Sequence, residues 1–395
     1  MTVPTPDPPA VDLVANAVAS RPRGREDRVV IAGFVLALVV PAVALLAGVR
    51  PADLEGGEPA VLPTIDASTA GDPATYAAVE RWVAESFPLR TAGAAAYGAL
   101  DYGVLGGSPN PDVIVGHGDW LFTITELQPV CRFTAAEVLA DLDAVAASFA
   151  GVGLDFRFTV PPDKHVIHPE QVRAGTGLGD SCADQRQAEL RSGMTARPGV
   201  AVEVWSALEA VRAADPERPI YFHQDTHRTP LGALVATEAL IESLAPGLWS
   251  PEQVPTDGFA NYETDLSRLI GLPAKERVPK LVIRPRVTVT EGAIELPVDI
   301  DNARDVATFV VDAGAPAVEG RTLVVYDSFY GTNMRRIAPW FRESVWVHQG
   351  DLTDHPSLVA SLPAFDRVVV ARVERGVYDT DLVTLLAPVI EAAGG

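Results

Sequence analysis

Between Val29 and Val49 the chain runs through 21 consecutive uncharged, mostly apolar residues, VVIAGFVLALVVPAVALLAGV. About 20 such residues cross a ~30 Å hydrocarbon core. A secretory h-region is shorter, about 7–15 residues, and ends at a small-x-small cleavage site. LLAGVRPA is a poor one, so the run reads as an uncleaved anchor. Pro41 falls mid-span, where a membrane helix tolerates it. Arg21, Arg23, Arg25 and Arg28 precede the span, and Arg50 is the one nearby base after it. The positive-inside rule therefore keeps residues 1–28 in the cytoplasm as a disordered tail and exports the rest.

An exported chain folds in an oxidising compartment. Its two cysteines, Cys131 and Cys182, are accordingly expected to form a disulfide. Two cysteines also exclude a zinc site built on three or four thiolates. A net charge of −21, from 52 acidic and 31 basic residues, argues against a nucleic-acid binder, which needs a basic stripe. No nucleic-acid partner and no cofactor are implied.

Residues 50–73 are acidic and rich in Pro and Gly and read as a linker; 74–395 form the exported domain. Within it, helical patterns at Tyr76–Ser86, Arg90–Tyr102, Ala135–Phe149, Val202–Ala213 and Leu231–Leu244 alternate with apolar strands. The strands are expected within Asp112–Ile124 and at Leu154–Val160, Pro219–Gln224, Arg321–Tyr326, Val345–Gln349 and Arg367–Val373. Lys280–Ile300 alternates like a β-hairpin turning near Glu291-Gly292. The alternation predicts an α/β layered fold with a mostly parallel sheet. Working residues in such sheets sit beyond the carboxyl ends of strands, which selects the positions after Val160, Phe222 and Tyr326.

After Phe222 comes His223-Gln224-Asp225-Thr226-His227. An Asp two residues before a His can accept from the imidazole and hold the tautomer that acts as a base. After Tyr326 comes Asp327-Ser328-Phe329, a serine at a strand-to-loop corner whose neighbouring N–H groups can line an oxyanion hole. Asp225, His227 and Ser328 thus form a candidate triad, admissible in any chain order. A rival set, His223, Asp225 and His227, would bind zinc or iron if the segment stayed extended. Against it, His223 reads as a hydrogen-bonded strand residue, and His117, His348 and His355 as surface or core. Lys164 is expected to hold the PPDK loop rather than a substrate carboxylate. Trp120, Trp340 and Trp346 are expected in the core rather than as sugar platforms, and Gly331 and Asn333 either lend oxyanion donors or start a helix.

The segments WVAESFPLR (Trp82–Arg90), GSPNPDVIVGHGDWLF (Gly107–Phe122), TVPPDKHVIHPE (Thr159–Glu170), DTHRTPLG (Asp225–Gly232) and YDSF (Tyr326–Phe329) resemble the AlgX/AlgJ family over roughly residues 75–375. These are SGNH-hydrolase-like O-acetyltransferases of exopolysaccharide. The resemblance implies an SGNH-hydrolase-like fold, Ser328 as nucleophile and Asp225–His227 as the acid–base pair. It also implies a polysaccharide acceptor and a multi-spanning MBOAT-type protein handing over the acetyl group. Arg228 stands where the family usually has Trp, and Tyr326 where it usually has Gly. A secreted acetylesterase with the same triad, and a non-catalytic glycan-binding subunit of an export complex, are the alternatives.

Overall fold

The computed structural model describes residues 25–49, 51, 60–176, 181–294, 306–354, 359 and 364–394. They fall into two compact units, 1–92 and 93–395. In the first, a helix spans Arg25–Leu46, and its window Arg28–Leu45 has a mean hydropathy of 2.5, enough by length and composition to cross a membrane. Its apolar side chains, Phe34 and Leu38 among them, stand exposed, which a helix in a soluble core would not show. A second helix, Pro73–Ser86, starts where Asp72 accepts from the Ala74 N–H.

The second unit is built, among the described residues, on eleven strands: β1 (Val113–Val115), β2 (Leu121–Thr123), β3 (Asp155–Val160), β4 (Ala201–Glu203), β5 (Thr256–Glu263), β6 (Lys275–Leu281), β7 (Val289–Glu291), β8 (Val306–Val311), β9 (Val318–Tyr326), β10 (Phe341–His348) and β11 (Arg367–Ala371). Seven form one sheet in the order β4-β3-β11-β9-β10-β8-β7. The first five are mutually parallel, and β8 and β7 close one edge antiparallel. Leu323–Tyr326 and Val368–Ala371 are continuous apolar runs buried on both faces, as central parallel strands require.

Helices supply the covering layers. Ala135–Gly151 begins with a capping box, Thr134 and Glu137 each bonding the other's backbone N–H. It turns Val138, Leu142, Val145 and Phe149 into the core at helical spacing. The helix Cys182–Thr195, which the sequence reading did not mark, is tied to the chain before it by the Cys131–Cys182 disulfide. Closing a loop with a separation of 51 residues stabilises by about 4 kcal/mol in the chain-entropy account.

Two expected strands differ. Pro219–Gln224 joins no ladder; its one bridge pairs Tyr221 with Arg228, folding the segment back on itself before the helix Pro230–Leu244. That fold-back depends on Gly232: a Cβ there would sit 2.0 Å from the Ile220 carbonyl oxygen. The antiparallel hairpin lies at β5–β6 rather than at Lys280–Ile300. The alternating pattern after Leu281 is interrupted at Arg284, whose φ of 43° is left-handed, and at Pro285, which has no N–H for a ladder. Only β7 survives from it, on the sheet edge; residues 295–300 lie outside those described.

Candidate acid–base and nucleophile site

Because β3, β9 and β11 are parallel neighbours, their carboxyl ends open at one edge, and the three loops there are laced together. Asp327, after β9, accepts from the Val373 N–H after β11 at 2.6 Å. Asp163, after β3, accepts from the Arg375 N–H at 3.0 Å and pairs with its guanidinium. Arg375 in turn lies 4.9 Å over the Phe329 ring.

Ser328 is the first residue of a one-turn helix, Ser328–Gly331, and is exposed. Among the described residues its hydroxyl makes no hydrogen bond. Asp327 caps this turn: its Oδ1 accepts from Phe329 N at 3.0 Å and its carbonyl from the N–H groups of Tyr330 and Gly331. Those three amides are therefore engaged, as is the Asn333 N–H, which donates to the Tyr330 carbonyl; the candidate oxyanion donors are the Ser328 N–H and the second proton of Asn333 Nδ2, whose other proton goes to Thr332 Oγ1. Asn333, the N-cap of the helix Met334–Ile337, is buried and lines the neighbouring cavity.

The fold-back at Tyr221–Arg228 carries the other candidates. Asp225 Oδ1 accepts from both the backbone N–H and the ring Nδ1 of His227, each at 2.8 Å. Burial alone would raise the Asp225 pKa, but the bond and charge of His227 and the N–H groups of His227 and Asp265 outweigh it and lower it. With Nδ1 so engaged, Nε2 is the nitrogen left over, and it is buried without a hydrogen-bond partner among the described residues. The imidazole lies 5.2 Å from the ring of Phe329, the residue after Ser328. A cavity of about 190 Å³ adjoins it, lined among others by Asp225, His227, Tyr262, Thr332, Asn333 and Arg336. The candidate base and the turn that follows the candidate nucleophile thus share one cleft.

Sequence reasoning missed three contributors. Asp265, at the start of the helix Asp265–Leu269 between β5 and β6, places Oδ2 3.7 Å from His227 Nδ1. Tyr262 and Arg336 wall the cavity and bond each other at 3.1 Å. No motif marks any of them, since they arrive from distant segments. Lys164 does more than hold its own loop. Fully buried, its ammonium donates to the carbonyls of Leu121, Phe222, His223 and Asp225, so it fixes the fold-back.

The rival metal set is not assembled. His223 turns away to Asp119, 3.0 Å from its Nδ1, and stacks on Trp120 at 4.4 Å. Asp225, His227 and Asp265 do converge within 4.8 Å. However, the carboxylate oxygens accept hydrogen bonds from His227, Thr226, Leu266 and the Asp265 N–H, the pattern of a hydrogen-bonded relay. Trp120, Trp340 and Trp346 are all buried, as expected of core residues. His355 lies outside the described residues.

With this geometry in place, comparison with known proteins is informative. Residues 113–293 match the family described as SGNH hydrolase-like domain, acetyltransferase AlgX. Over that stretch, a little under half of its length, the chain is similar to this family. The match holds Asp225, His227 and Asp265 and ends before Ser328. Among curated relatives, the probable alginate O-acetylase AlgJ of Pseudomonas syringae pv. tomato is 28% identical over 203 residues, 49% of this chain and 50% of its own. That of Pseudomonas putida is 26% identical over 218 residues, 50% and 54% of the two chains. The chain thus spans about half the length of the curated relatives it matches. Among solved structures, the O-acetyltransferase domain of Pseudomonas putida AlgJ aligns with a TM-score of 0.43 at 17% identity, covering 68% of this chain and 94% of its own. Bacillus cereus PatB1 with a sulfonyl adduct aligns at 0.46 and 11%, covering 67% and 95%.

Behind the site lies a buried ionisable cluster. Glu374 is fully buried and accepts from Gln187 at 2.9 Å and from Trp205 Nε1 at 3.2 Å; burial, then the charge of Asp163, push its pKa up to about 7. Burial opposes charge on His165, but its bonds to Asp184 and Glu126 outweigh that and hold its pKa at about 10. Both folded values exceed the ordinary ones of 4.5 and 6.5, so the folded state binds more protons. The stabilisation from Glu374 is complete below 4.5 and lost as pH rises to about 7; that from His165 is lost between 6.5 and about 10. The thermal midpoint is therefore expected to fall as buffer pH is raised from about 5 to 9. Glu374→Gln should flatten the lower part of that slope. A calorimetric midpoint that climbs across the range would contradict the assignment.

Proposed function

We propose that this chain is a membrane-anchored, extracytoplasmic O-acetyltransferase that moves an acetyl group through Ser328 to a hydroxyl of a polysaccharide. The observation that carries the reading is the Asp225–His227 pair, oriented at 2.8 Å with Nε2 unpartnered, beside Phe329 and the cleft. The names of the curated relatives, alginate O-acetylases, support the reaction class.

In the first half-reaction Ser328 Oγ attacks the acetyl carbonyl as His227 Nε2 takes its proton. The tetrahedral oxyanion meets the Ser328 N–H and the Asn333 Nδ2 proton not given to Thr332; such a donor contributes about 3 kcal/mol. Collapse breaks the bond to the donor's leaving group, which receives the proton from His227, and leaves acetyl-Ser328. In the second half a sugar hydroxyl gives its proton to His227 and attacks the acetyl carbon. Ser328 Oγ then leaves and recovers the proton. Asp225 keeps Nδ1–H donating throughout, so that Nε2 is the basic nitrogen at each step.

The helix Arg25–Leu46 would anchor the chain, with residues 1–28 cytoplasmic. Acetyl-CoA is confined to the cytoplasm, so an MBOAT-type membrane protein would pass the acetyl group outward. The test is acylation in the absence of acceptor. Incubated with an aryl acetyl ester and quenched in acid, the protein should carry one acetyl group on the peptide containing Ser328. Added glycan should remove it and gain an O-acetyl ester. Acetate release without glycan acetylation would make the protein an esterase, and an unmodified Ser328 peptide would end the acyl-serine reading.

A further inference from the structure

The β5–β6 insertion wraps the acid–base fold-back from outside the sheet. Glu276, on β6, accepts from the N–H groups of His223 and Gln224 at 2.9 and 2.6 Å. The Gln224 carbonyl accepts in turn from Leu266 and Ser267. Between these contacts sits Asp265, which touches every member of the fold-back that matters for chemistry. Its N–H donates to Asp225 Oδ2 at 2.8 Å, its Oδ1 accepts from the Thr226 N–H at 2.8 Å, and its Oδ2 accepts the Thr226 hydroxyl. The same Oδ2 lies 3.7 Å from His227 Nδ1.

We infer that Asp265 is a positioning residue for the acid–base pair: it fixes Asp225 through its own backbone N–H and brings a second carboxylate to the Nδ1 edge of the His227 imidazole. The inference rests on the acid–base reading of Asp225 and His227. A second carboxylate so close to one already paired is unfavourable by itself. Burial, followed by repulsion from Asp225, raises the Asp265 pKa. Its position is maintained because Thr226, Leu266 and its own helix start hold it there, and its charge is compensated whenever His227 carries a proton. That occurs transiently in each half-reaction. Asp225 alone would suffice to set the tautomer; Asp265 adds charge at the moment the imidazolium forms.

Other charges face the imidazole as well. Glu263 and Arg336 line the same cavity, Arg228 is next in sequence, and Arg375 lies over the Phe329 ring. Lys164 and Glu276 act on the fold-back from below and outside. Arginine is permanently charged and Lys164 is committed to four carbonyls, so a change confined to Asp265 isolates its contribution.

The experiment follows the His227 ring by NMR titration in the full chain, beside pH–rate profiles for acetyl-ester cleavage. A nearby anion favours the protonated ring, so Asp265→Asn should lower the His227 titration midpoint by roughly half to one unit. The acid limb of kcat/KM should move the same way, and kcat should fall about 5- to 20-fold, since the base is weaker and less well held. Asp265→Glu, which keeps the charge, should restore most of the midpoint. Glu276→Gln, which loosens the same insertion without touching the imidazole, should leave the midpoint in place. Should Asp265→Asn fail to fold, Asp265→Ser removes the charge while leaving a hydroxyl for Thr226. A midpoint unchanged in the charge-removing variant overturns the inference. The titration needs no acetyl donor. If acetyl release survives Ser328→Ala, the acyl-serine reading falls, while the midpoint still decides Asp265.

Discussion

Ser328→Ala is expected to leave a folded protein that has lost acetyl-ester cleavage by about a thousandfold or more, because the substitution removes the proposed acyl carrier. The fold should tolerate it. The hydroxyl makes no hydrogen bond among the described residues, and the turn is held by Asp327, which bonds Phe329 and Val373. His227→Ala should lose nearly as much, since members of such a unit are grossly non-additive. Asp225→Ala should retain more residual rate but also lose stability, because its oxygens bond His227 and Asp265 from a largely buried position. His223→Ala should leave turnover almost unchanged, its ring being directed to Asp119 and Trp120. A chelator should have no effect. The measurements are initial rates on an aryl acetyl ester and circular dichroism for each variant. Wild-type turnover by Ser328→Ala would remove the nucleophile from the argument. Inactivity of His223→Ala together with loss on chelation would reinstate a metal.

The legible parts of this chain are those where a local pattern and the tertiary outcome agree. Unbroken, short apolar runs rich in β-branched Val, such as Leu323-Val324-Val325-Tyr326 and Val368-Val369-Val370-Ala371, read as central strands, because Val favours the strand and both faces are apolar. The capping box at Thr134 announces its helix in the sequence. Asp225 and His227 are two residues apart, and their bond is a local event. Asp265 is forty residues further on, and its approach depends on where β5 and β6 dock, which no spacing reveals. The segment Pro219–Gln224 misleads for a related reason. It is apolar enough for a strand, yet Tyr221 reaches Pro162 with its hydroxyl and Lys164 takes the carbonyls that a ladder would have used. The run after Lys280 shows the converse, alternation without a ladder, because one left-handed Arg and one Pro suffice to end pairing.

Lys164→Met is expected to be the most destabilising single change near the site, by about 3–5 kcal/mol, and the reason lies in how a sheet edge without a strand is stabilised. The backbone at Leu121 and at Phe222–Asp225 presents carbonyls to the interior, and of the four only that of His223 also accepts from a strand, the Leu121 N–H of β2, among the described residues. One ammonium with three protons serves four oxygens there, at distances of 2.5 to 3.3 Å. Burial disfavours its charge and lowers its pKa, while Glu126, Asp265, Asp225 and Glu276 counter that. Methionine matches the stem and fills the space beneath Trp120 and Phe122, over which the ammonium sits at 5.7 and 4.9 Å. It offers no donor, so the Leu121, Phe222 and Asp225 carbonyls lose the ammonium together while that of His223 keeps the Leu121 N–H, and the penalty is that of unsatisfied groups rather than of lost packing. Arginine would keep the charge but needs room for a planar fork in a fully buried niche, so Lys164→Arg should also be damaging. The prediction for function follows from the same contacts: the Asp225 carbonyl is one of the four acceptors, so losing the clamp frees the acid–base pair from the cleft. Urea titration of Lys164→Met checks the stability, and its esterase rate, measured where the variant is still folded, should be at least about tenfold down. A variant with wild-type midpoint and rate would mean that the fold-back stands without its lysine.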